Sequence, residues 1–544
     1  MARFAIYFRR VDKKAFPSYT VTMKKWRRTV FFWILTLLCL VTIPLVVLNA
    51  AGYRFDTSRG AFVYSGTITF KSNPQNISVT LDGKPTDSQQ INKINNSVNL
   101  SGLIPKNYNI AISAPGFQTW TKEADVSSGL ATEFWNVVLA RNNYPKTRLG
   151  ADGTQKFFIA PKNDFLAYTT ENSQNLGVGI FNISAKKTTT NLSLPGWQFA
   201  GDDRHENIEW GPDEAYISVP VKKTVSTDST DNQNISGPST VSTLKTPKNT
   251  TTYDYSIANP KDGTYFDLKQ FLNADTLNSD SNDIRAVRWD PKEKGCLFFL
   301  IGKTLYRANI QTQGDITKIA DGVSAYDLSS SGVYYVQTPN NLVFEKNLDG
   351  SGNPNQITST FPGFGNQDIA RLTVYDNSRI AFLTPDGDLY VYNQGDHATY
   401  FKQLDSGIVD AQFSNDGKKL LFWSNYEISV YFTRDWTVQP TRSEDERQDI
   451  TRYSEPISNV QWYSDYEHVI FSDGQYAKII ELDSRDHRNC LDLFSTTLTS
   501  PFAICDNSLS RIYFTDTSGQ STSLYSITFP EPTYLLGIVG LGGS

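Results

Sequence analysis

Cysteine, histidine and methionine are scarce in this 544-residue chain, which has four Cys, four His and two Met. It contains no Cys-x-x-Cys pair, no His-Glu-x-x-His, no Gly-x-Ser-x-Gly and no Walker A loop. Zinc-finger, zinc-protease, hydrolase-elbow and P-loop chemistry therefore have no support. We expect no catalytic, cofactor-binding or metal-binding residues, no cofactor, and a protein that is not an enzyme.

Charge is also sparse, at 20% of residues, whereas hydrophobic residues make up 39% and aromatic residues 13%. This balance excludes a wholly disordered chain and leaves ample material for a packed core. Tyr (28) and Phe (32) far outnumber Met, which favours strands and turns over helices. The length fits three or four domains, or one large domain with appendages.

The few charges are unevenly placed. Residues 1–28 hold nine Lys/Arg and one Asp, which gives this segment a net charge of +8. Because the whole chain carries −5, the remaining residues carry −13. That acidic body has no basic stripe, and phosphate neutralisation needs clustered Lys/Arg, so we expect no nucleic-acid partner. The basic head, residues 1–28, could bind RNA in principle. The apolar segment that follows it gives a better explanation of its positive charge.

No charged residue occurs from Thr29 to Tyr53. About 20 apolar residues span a hydrocarbon core of roughly 30 Å, so 29–53 is predicted to be a transmembrane helix. Pro44 falls inside this segment. The lipid bilayer is thus an expected partner.

Residues at the two ends of this segment predict its orientation. By the positive-inside rule, the basic cluster places residues 1–28 in the cytoplasm and the C-terminal ectodomain outside the cell membrane, as a single-pass protein. The residues predicted to set the topology are Lys24, Lys25, Arg27 and Arg28. The predicted interfacial anchors are Trp26, Trp33 and Tyr53.

Two other fates of the N-terminal segment compete with an uncleaved membrane helix. A cleaved signal peptide has a weak site at Ala50, Ala51 and Gly52, but the apolar run and the leader before it are long for one. A lipoprotein needs a small residue before Cys39, and Leu38 stands there. The basic head is interpreted mainly as a topology signal, with weak binding to an anionic inner leaflet as the alternative.

Residues 65–141 alternate apolar and polar side chains in short runs, as in "ISVTLDG" and "YNIAIS", which predicts a small β-sandwich. This segment resembles a PEGA domain, with Gln75-Asn76-Ile77 in place of Glu-Gly-Ala and Asn107 in place of a Gly. The resemblance implies an envelope binding or spacer module of a prokaryotic membrane protein. The matching residues are Pro74, Val79, Asp82, Gly83, Pro105, Tyr108, Pro115, Gly116 and Phe117.

Residues 148–530 repeat a unit of strands at intervals of about 40–50 residues, which is typical of a β-propeller. The clearest copy, Ala411–Phe432, resembles TolB-type and other WD-repeat-like units through its sequence "SNDGKKLLF". We expect eight blades, with seven as the alternative, and a blade shared by the first and last units as a closure. The predicted fold class is therefore an all-β ectodomain, a small PEGA-like β-sandwich plus a β-propeller, behind one N-terminal transmembrane α-helix.

Four further features of the chain have no function assigned from the sequence. Residues 222–255 are rich in Ser, Thr and Asn and are predicted to be a flexible insert, whereas 531–544 form an apolar, Gly-rich tail. Cys490 and Cys505 could bridge neighbouring strands. Asp483, Asp486 and His487 could bind a cation, but we interpret "LDSRDHRN" as a solvated turn.

The function expected from these features is recognition. We predict a bacterial cell-envelope binding or scaffold protein that presents its propeller to an envelope protein or glycan. One alternative is an envelope-polymer hydrolase or lyase with acidic residues converging in the propeller mouth, and another is a membrane sensor. Neither the identity of the ligand nor the oligomeric state follows from the sequence.

Overall fold

A computed structural model describes residues 24–86, 91–92, 97–172, 175–227, 248–272, 283–312, 315–359, 364, 367–530, 533–535 and 538–540. Residues 1–23 of the predicted basic segment lie outside the described residues. The chain divides into two compact units. The first unit holds the chain up to Ile68 with Leu100–Lys106 and Asp125–Thr132, and the second holds the rest.

Helix α1 (Lys25–Ala50) is long and apolar enough to cross a membrane. None of its residues is buried against the protein, although a helix that is apolar all round needs apolar surroundings. The helix begins at Lys25 and ends at Ala50, whereas the predicted transmembrane segment is 29–53. The helix stops at Ala50 because Gly52 takes a φ of +89° and the chain turns into the hairpin of β1 (Tyr53–Asp56) and β2 (Ala61–Tyr64).

Residues 65–141, the PEGA-like sandwich, form two four-stranded sheets with the orders β10-β3-β7-β6 and β5-β4-β8-β9. Asp82 and Gly83 both have positive φ, at +50° and +73°, which makes the two-residue hairpin turn that their sequence predicts. The strands are β3 (Gly66–Asn73), β4 (Ser78–Leu81), β5 (Lys84–Pro85), β6 (Ile91–Asn92), β7 (Ser97–Leu103), β8 (Lys106–Ser113), β9 (Trp120–Val126) and β10 (Ala131–Val138).

The described part of residues 147–528 forms eight antiparallel sheets, which we number as blades 1 to 8. Strand β11 (Thr147–Gly150) comes first along the chain. Blade 1 contains β12 (Phe157–Ile159), β13 (Phe165–Glu171), β14 (Asn175–Asn182) and β15 (Lys187–Pro195). Blade 2 contains β16 (Gln198–Phe199), α2 (Gly201–Arg204), β17 (Glu209–Trp210), β18 (Ile217–Thr227), β19 (Lys248–Ala258), β20 (Tyr265–Asp267) and α3 (Leu268–Phe271).

Blades 3 to 5 follow the same meander. Blade 3 contains β21 (Ile284–Trp289), β22 (Cys296–Ile301), β23 (Thr304–Asn309) and β24 (Ile316–Asp321). Blade 4 contains β25 (Val323–Leu328), β26 (Val333–Gln337), β27 (Leu342–Lys346) and β28 (Asn355–Gln356). Blade 5 contains β29 (Arg371–Asp376), β30 (Arg379–Leu383), β31 (Leu389–Gln394) and β32 (Thr399–Asp405).

Blades 6 to 8 complete the set. Blade 6 contains β33 (Ile408–Phe413), β34 (Lys419–Ser424), β35 (Glu427–Phe432) and β36 (Arg447–Arg452). Blade 7 contains β37 (Ile457–Trp462), β38 (His468–Asp473), β39 (Tyr476–Glu481) and β40 (Cys490–Ser495). Blade 8 contains β41 (Ala503–Asp506), β42 (Arg511–Ser518) and β43 (Ser521–Thr528) with β11, and the tail adds the pair β44 (Thr533–Leu535) and β45 (Ile538–Gly540).

The propeller closes with eight blades rather than seven. Strand β11, from the start of the propeller, pairs with β43 and completes blade 8, as the expected closure requires. Apolar clusters join each described blade to the next, and a cluster containing Leu149, Phe157, Tyr513 and Leu524 joins blade 8 to blade 1. The predicted all-β fold class behind one N-terminal helix is therefore confirmed.

The position of each strand in its blade explains its residues. The second strand of blade 3, "CLFFLI", is buried along its whole length because other blades cover both of its faces. Strand β9 of the PEGA-like sandwich instead alternates buried and exposed positions. Continuous apolar runs thus mark the middle of a blade, and alternation marks a sheet with one covered face.

The meander gives the propeller two loop faces. Turns between the first and second strands and between the third and fourth strands lie at one end of every blade, which we call the back face. Turns between the second and third strands and the connections between blades lie at the other end, the front face. Backbone bonds on the front face, such as Tyr453 N to Tyr426 O at 2.9 Å and Thr496 N to Gln475 O at 2.8 Å, join these two kinds of loop.

Two sequence predictions are changed by this topology. The predicted insert 222–255 begins and ends in strands, because Lys222–Thr227 pairs with Lys248–Tyr253 in the hairpin of β18 and β19. Its centre, residues 228–247, lies outside the described residues. Cys490 and Cys505 belong to different blades, and all four cysteines of the chain are free.

Candidate functional site

The residues predicted to set the topology lie together at the start of α1. Lys24 is the N-cap residue, and the first helical turn follows it directly. Tyr53 is separate from them, since it begins β1 and pairs with Tyr64. Their roles in orientation and anchoring stay predictions. The residues on α1 are Lys25, Trp26, Arg27, Arg28 and Trp33.

The segment "LDSRDHRN" (482–489) connects two strands and exposes Ser484, Asp486 and His487, as a solvated turn does, but it is also a docking loop. It connects the third and fourth strands of blade 7, on the back face, and contacts β9 of the PEGA-like sandwich. Among the described residues, no group of three His, Cys, Asp or Glu side chains could hold a metal ion. Its Asp and His side chains instead bind the neighbouring strand and the loop itself.

A buried ion pair lies at the centre of this contact. Lys122 Nζ is 2.5 Å from Glu481 Oε1, and the two side chains retain 0% and 5% of their exposure. The ammonium also donates to the carbonyl oxygens of Asp483, at 2.9 Å, and His487. Trp120 Nε1 donates to the other carboxylate oxygen of Glu481 at 2.8 Å. These bonds satisfy both buried charges, as such a pair requires.

The loop also covers the edge of the sheet. Strand β9 is an edge strand, so its outward N–H and C=O groups would otherwise face solvent. The side chain of Asn489 accepts from Thr121 N at 3.2 Å and donates to Thr121 O at 2.9 Å. Glu123 N donates to Asp486 Oδ2 at 3.0 Å. Side chains of blade 7 thus replace the missing neighbour strand.

Beside the ion pair, Arg485 fixes the last strand of the sandwich. Its Nη2 donates to Glu133 O at 2.8 Å, and its guanidinium lies 4.1 Å from the centre of the Phe134 ring. Asp483 binds the same guanidinium. Burial would raise the pKa of Asp483, but the bonds to Arg485 outweigh it and lower that pKa. The carboxylate is therefore charged in the folded protein.

A cavity of about 30 Å³, enough for one water molecule, lies between the sandwich and blades 6 and 7. Trp120, Phe134 and His468 are among its walls. Burial lowers the pKa of His468, but Asp465, 2.8 Å from its Nδ1, together with Glu481 and Glu467, outweighs burial and raises that pKa. The cavity is too small for a substrate, so this region is an internal contact between the sandwich and the propeller.

A second charged cluster lies on the inner strands of blades 2 to 4. Arg288 Nε donates to Glu209 Oε1 at 2.8 Å, and its Nη1 lies 3.6 Å from Asp327 Oδ1. Asp327 Oδ2 also accepts from Val374 N in blade 5, at 2.8 Å. Burial raises the pKa of Glu209 although Arg288 opposes this shift. The two carboxylates share one guanidinium, which is typical of a structural ion-pair network.

The front face presents apolar side chains to solvent. Tyr426 and Tyr476 lie at the turns between the second and third strands of blades 6 and 7 and are 45% and 41% exposed. Val409, near the start of the first strand of blade 6, is 37% exposed. On blade 2, the hairpin of β18 and β19 continues to Thr227 and Lys248, beyond Lys222, where β16 stops pairing.

Comparison with known protein families identifies one segment of the chain. Residues 65–141 match the PEGA domain family. No curated protein matches the chain. A PEGA domain followed by a β-propeller indicates, in general terms, a scaffold for protein interaction.

Similar solved structures include the crystal structure of a eukaryotic initiation factor, at 13% identity over 72% of this chain and 90% of that one, with a TM-score of 0.41. They also include Kluyveromyces lactis Hsv2 (12% identity, 63% and 98%, TM-score 0.36). A third is the Myceliophteria thermophila Cps50 (Swd1) β-propeller domain (10%, 71% and 99%, TM-score 0.36). Because these TM-scores are below 0.5, the propeller assignment stands on the sheet order and the closure of blade 8.

Proposed function

We propose that the protein is a bacterial cell-envelope scaffold, held in the cell membrane by α1, whose propeller binds an envelope protein or glycan through its front face. The N-terminal segment lies in the cytoplasm and the ectodomain outside it. No bond is made or broken, and the protein is not an enzyme. The docking of the PEGA-like sandwich on the back face carries this proposal.

Because the sandwich docks on the back face, the two loop faces differ in what is available for a partner to bind. The back face at blades 6 and 7 contacts the PEGA-like sandwich, and its charges there are used in internal bonds, whereas Val438 of the same face is 39% exposed. On the front face, Tyr426 and Tyr476 occupy neighbouring blades with much of their rings in solvent. Tyrosine suits recognition because it combines a rigid apolar ring with a polar hydroxyl. A partner is therefore expected there.

The test is affinity capture with the full chain in detergent, against solubilised envelope proteins and a glycan panel. We compare the unaltered chain with the double variant Tyr426→Ala/Tyr476→Ala. The matched control is Tyr265→Ala, because Tyr265 is similarly exposed, at 40%, but lies at a turn of the back face. Loss of one saturable partner in the double variant, with retention in the control, is the expected result.

Two results would contradict the proposal. Equal loss of the partner in the Tyr265→Ala control would show that binding does not use the front face. Release of small products from envelope polymers, abolished by Glu209→Gln or Asp327→Asn, would establish the hydrolase or lyase alternative.

Anchoring by α1 has its own test. An uncleaved anchor predicts that membrane-extracted protein has the full mass of 61.1 kDa. A signal sequence predicts a shorter chain that begins near Gly52. The positive-inside orientation predicts that reagents outside intact cells label Cys490, which is exposed on blade 7.

A further inference from the structure

The hairpin of β1 and β2, which directly follows α1, is amphipathic. Paired residues of an antiparallel hairpin point to the same side, and its register pairs Tyr53 with Tyr64 and Phe55 with Phe62. Ring centres are 5.3 Å apart in the first pair and 5.2 Å in the second. All four rings therefore share one face of the hairpin, which we call the aromatic face.

The aromatic face is open to solvent. Its residues Tyr53, Phe55, Phe62 and Tyr64 are 38%, 50%, 40% and 46% exposed. A two-stranded hairpin that exposes four aromatic rings is not stable alone in water. Such a face needs a partner that accepts both apolar rings and the hydroxyl groups of two tyrosines.

The opposite face of the same hairpin is polar. It carries Arg54 and Asp56, and Asp56 is held by Ser58 N at 2.8 Å and by Arg59 Nε at 3.4 Å. The hydrogen bonds from Ser58 lower the pKa of Asp56, so this carboxylate is charged at neutral pH. One side of the hairpin thus exposes its aromatic rings, whereas the other, which also carries Ala61 and Val63, is partly covered and holds the buried Asp56 in hydrogen bonds.

The hairpin is also fixed to the end of the helix. Arg54 Nη1 donates to Asn49 O at 3.1 Å and to the Asn49 side chain. Ser65 donates to Gly52 O through its N at 2.9 Å and its Oγ at 2.7 Å. An open cleft of about 500 Å³ remains between Leu45 of α1 and the rings of Phe55 and Phe62.

We propose that the aromatic face lies in the headgroup layer of the membrane that α1 crosses, on the side where the helix ends. The hairpin begins three residues after the last helical residue, so its rings stand at the boundary where apolar tails meet polar headgroups. Tyrosine and other amphipathic rings are enriched at that depth. The inference extends the anchor from Tyr53 to Phe55, Phe62 and Tyr64, and it rests on the proposed anchoring by α1.

The test uses the full chain in liposomes, with Cys39→Ser and Cys490→Ser as the background. A nitroxide label at Phe62→Cys, on the aromatic face, is compared with one at Ala61→Cys, which is exposed on the polar face of the same strand. Accessibility to oxygen is measured against accessibility to a water-soluble nickel chelate. Oxygen should prevail at residue 62 and the nickel chelate at residue 61. Phe55→Cys is the second variant for the aromatic face.

Three results would overturn the inference. Equal, water-like accessibility at residues 61 and 62 would place the hairpin in solvent. Spin–spin broadening at residue 62 would identify a second copy of the chain as the occupant. A label at Leu38→Cys separates the two proposals: if residue 38 is in lipid while residue 62 is in water, the anchor stands and only this inference fails.

Discussion

Blades 6 and 7 meet two different surroundings at their two ends. At the back face, Lys122 and Glu481 form an ion pair with almost no exposure. At the front face of the same blades, Tyr426 and Tyr476 keep nearly half of their exposure. The strands and cores are alike at both ends, so the loops alone decide which end contacts the PEGA-like sandwich and which exposes its tyrosine rings.

The largest expected effect comes from Lys122→Met, which leaves the Glu481 carboxylate buried without its counter-charge. We expect a loss of about 3–5 kcal/mol in unfolding free energy. The control is Lys478→Met, which removes an ion pair with the half-exposed Asp492 on the same blade and should cost about 0–1 kcal/mol. Denaturant titration of the purified full chain measures both.

The double variant Lys122→Met/Glu481→Gln sharpens this prediction. It leaves no unpaired buried charge, and we expect it to recover much of the lost stability. Equal stability of the Lys122→Met and Lys478→Met variants would mean that the back face is wet and that the two loop faces do not differ.

A pair of glycines compares the crowding of the two faces. Gly417 at the back face and Gly407 at the front face have φ of +65° and +72°. A Cβ at Gly417 would come within 2.4 Å of the Tyr375 ring, whereas a Cβ at Gly407 would meet nothing within 4 Å. Both changes to Ala strain the backbone by about 1–2 kcal/mol, and Gly417→Ala adds about 1–3 kcal/mol of overpacking. If the thermal unfolding midpoint of the Gly417→Ala variant is no lower than that of the Gly407→Ala variant, the expected difference in crowding is contradicted.

The pH dependence of stability is the third comparison. Because the pKa of His468 is raised in the folded protein, its contribution is fully present below the ordinary pKa of 6.5. It is lost as the pH rises through the raised value. His468→Gln should remove this loss, whereas the exposed His205→Asn should leave it unchanged. The measurement is denaturant unfolding of the unaltered chain, His468→Gln and His205→Asn at a series of pH values that starts below 6.5 and rises from there.

The smallest expected effect on stability belongs to the front face. Tyr426→Ala and Tyr476→Ala remove half-exposed side chains, so each should change the unfolding free energy by no more than about 0.5 kcal/mol. The same changes should abolish partner capture. A loss of stability as large as that of Lys122→Met would mean that these rings support the fold.

The sequence predicts the strands well, because they depend on local patterns, and the series of repeated units leads to the expected closure of β11 on β43. Asp82-Gly83 marks its hairpin, and the repeated units mark the blades. The contact between the PEGA-like sandwich and the back face of blade 7 could not be predicted in the same way. Lys122 does occupy an inward position of β9, between the buried Trp120 and Ala124, and this is a visible anomaly. Its partner Glu481 lies 359 residues away, however, and no local pattern connects the two.

Other parts of the prediction were incomplete for physical reasons. The loop 482–489 has the polar composition of a solvated turn, but its side chains substitute for a strand at the edge of the sandwich. The flanks of the insert 222–255 pair as an antiparallel hairpin in spite of their polar composition, and composition does not separate a polar hairpin from a loop. The roles of Lys24, Lys25, Arg27 and Arg28 stay predictions.

Hydrogen exchange on the full chain in detergent tests the difference between the two faces most directly. Thr121 N and Glu123 N would exchange quickly if β9 were a free edge, but both donate to side chains of blade 7. We predict that these two amides are protected to the same degree as the strand amides of blade 7, while the amide of Asn425, in a front-face turn, exchanges rapidly. Rapid exchange at Thr121 and Glu123 would contradict the docking of the sandwich and the assignment of the two faces.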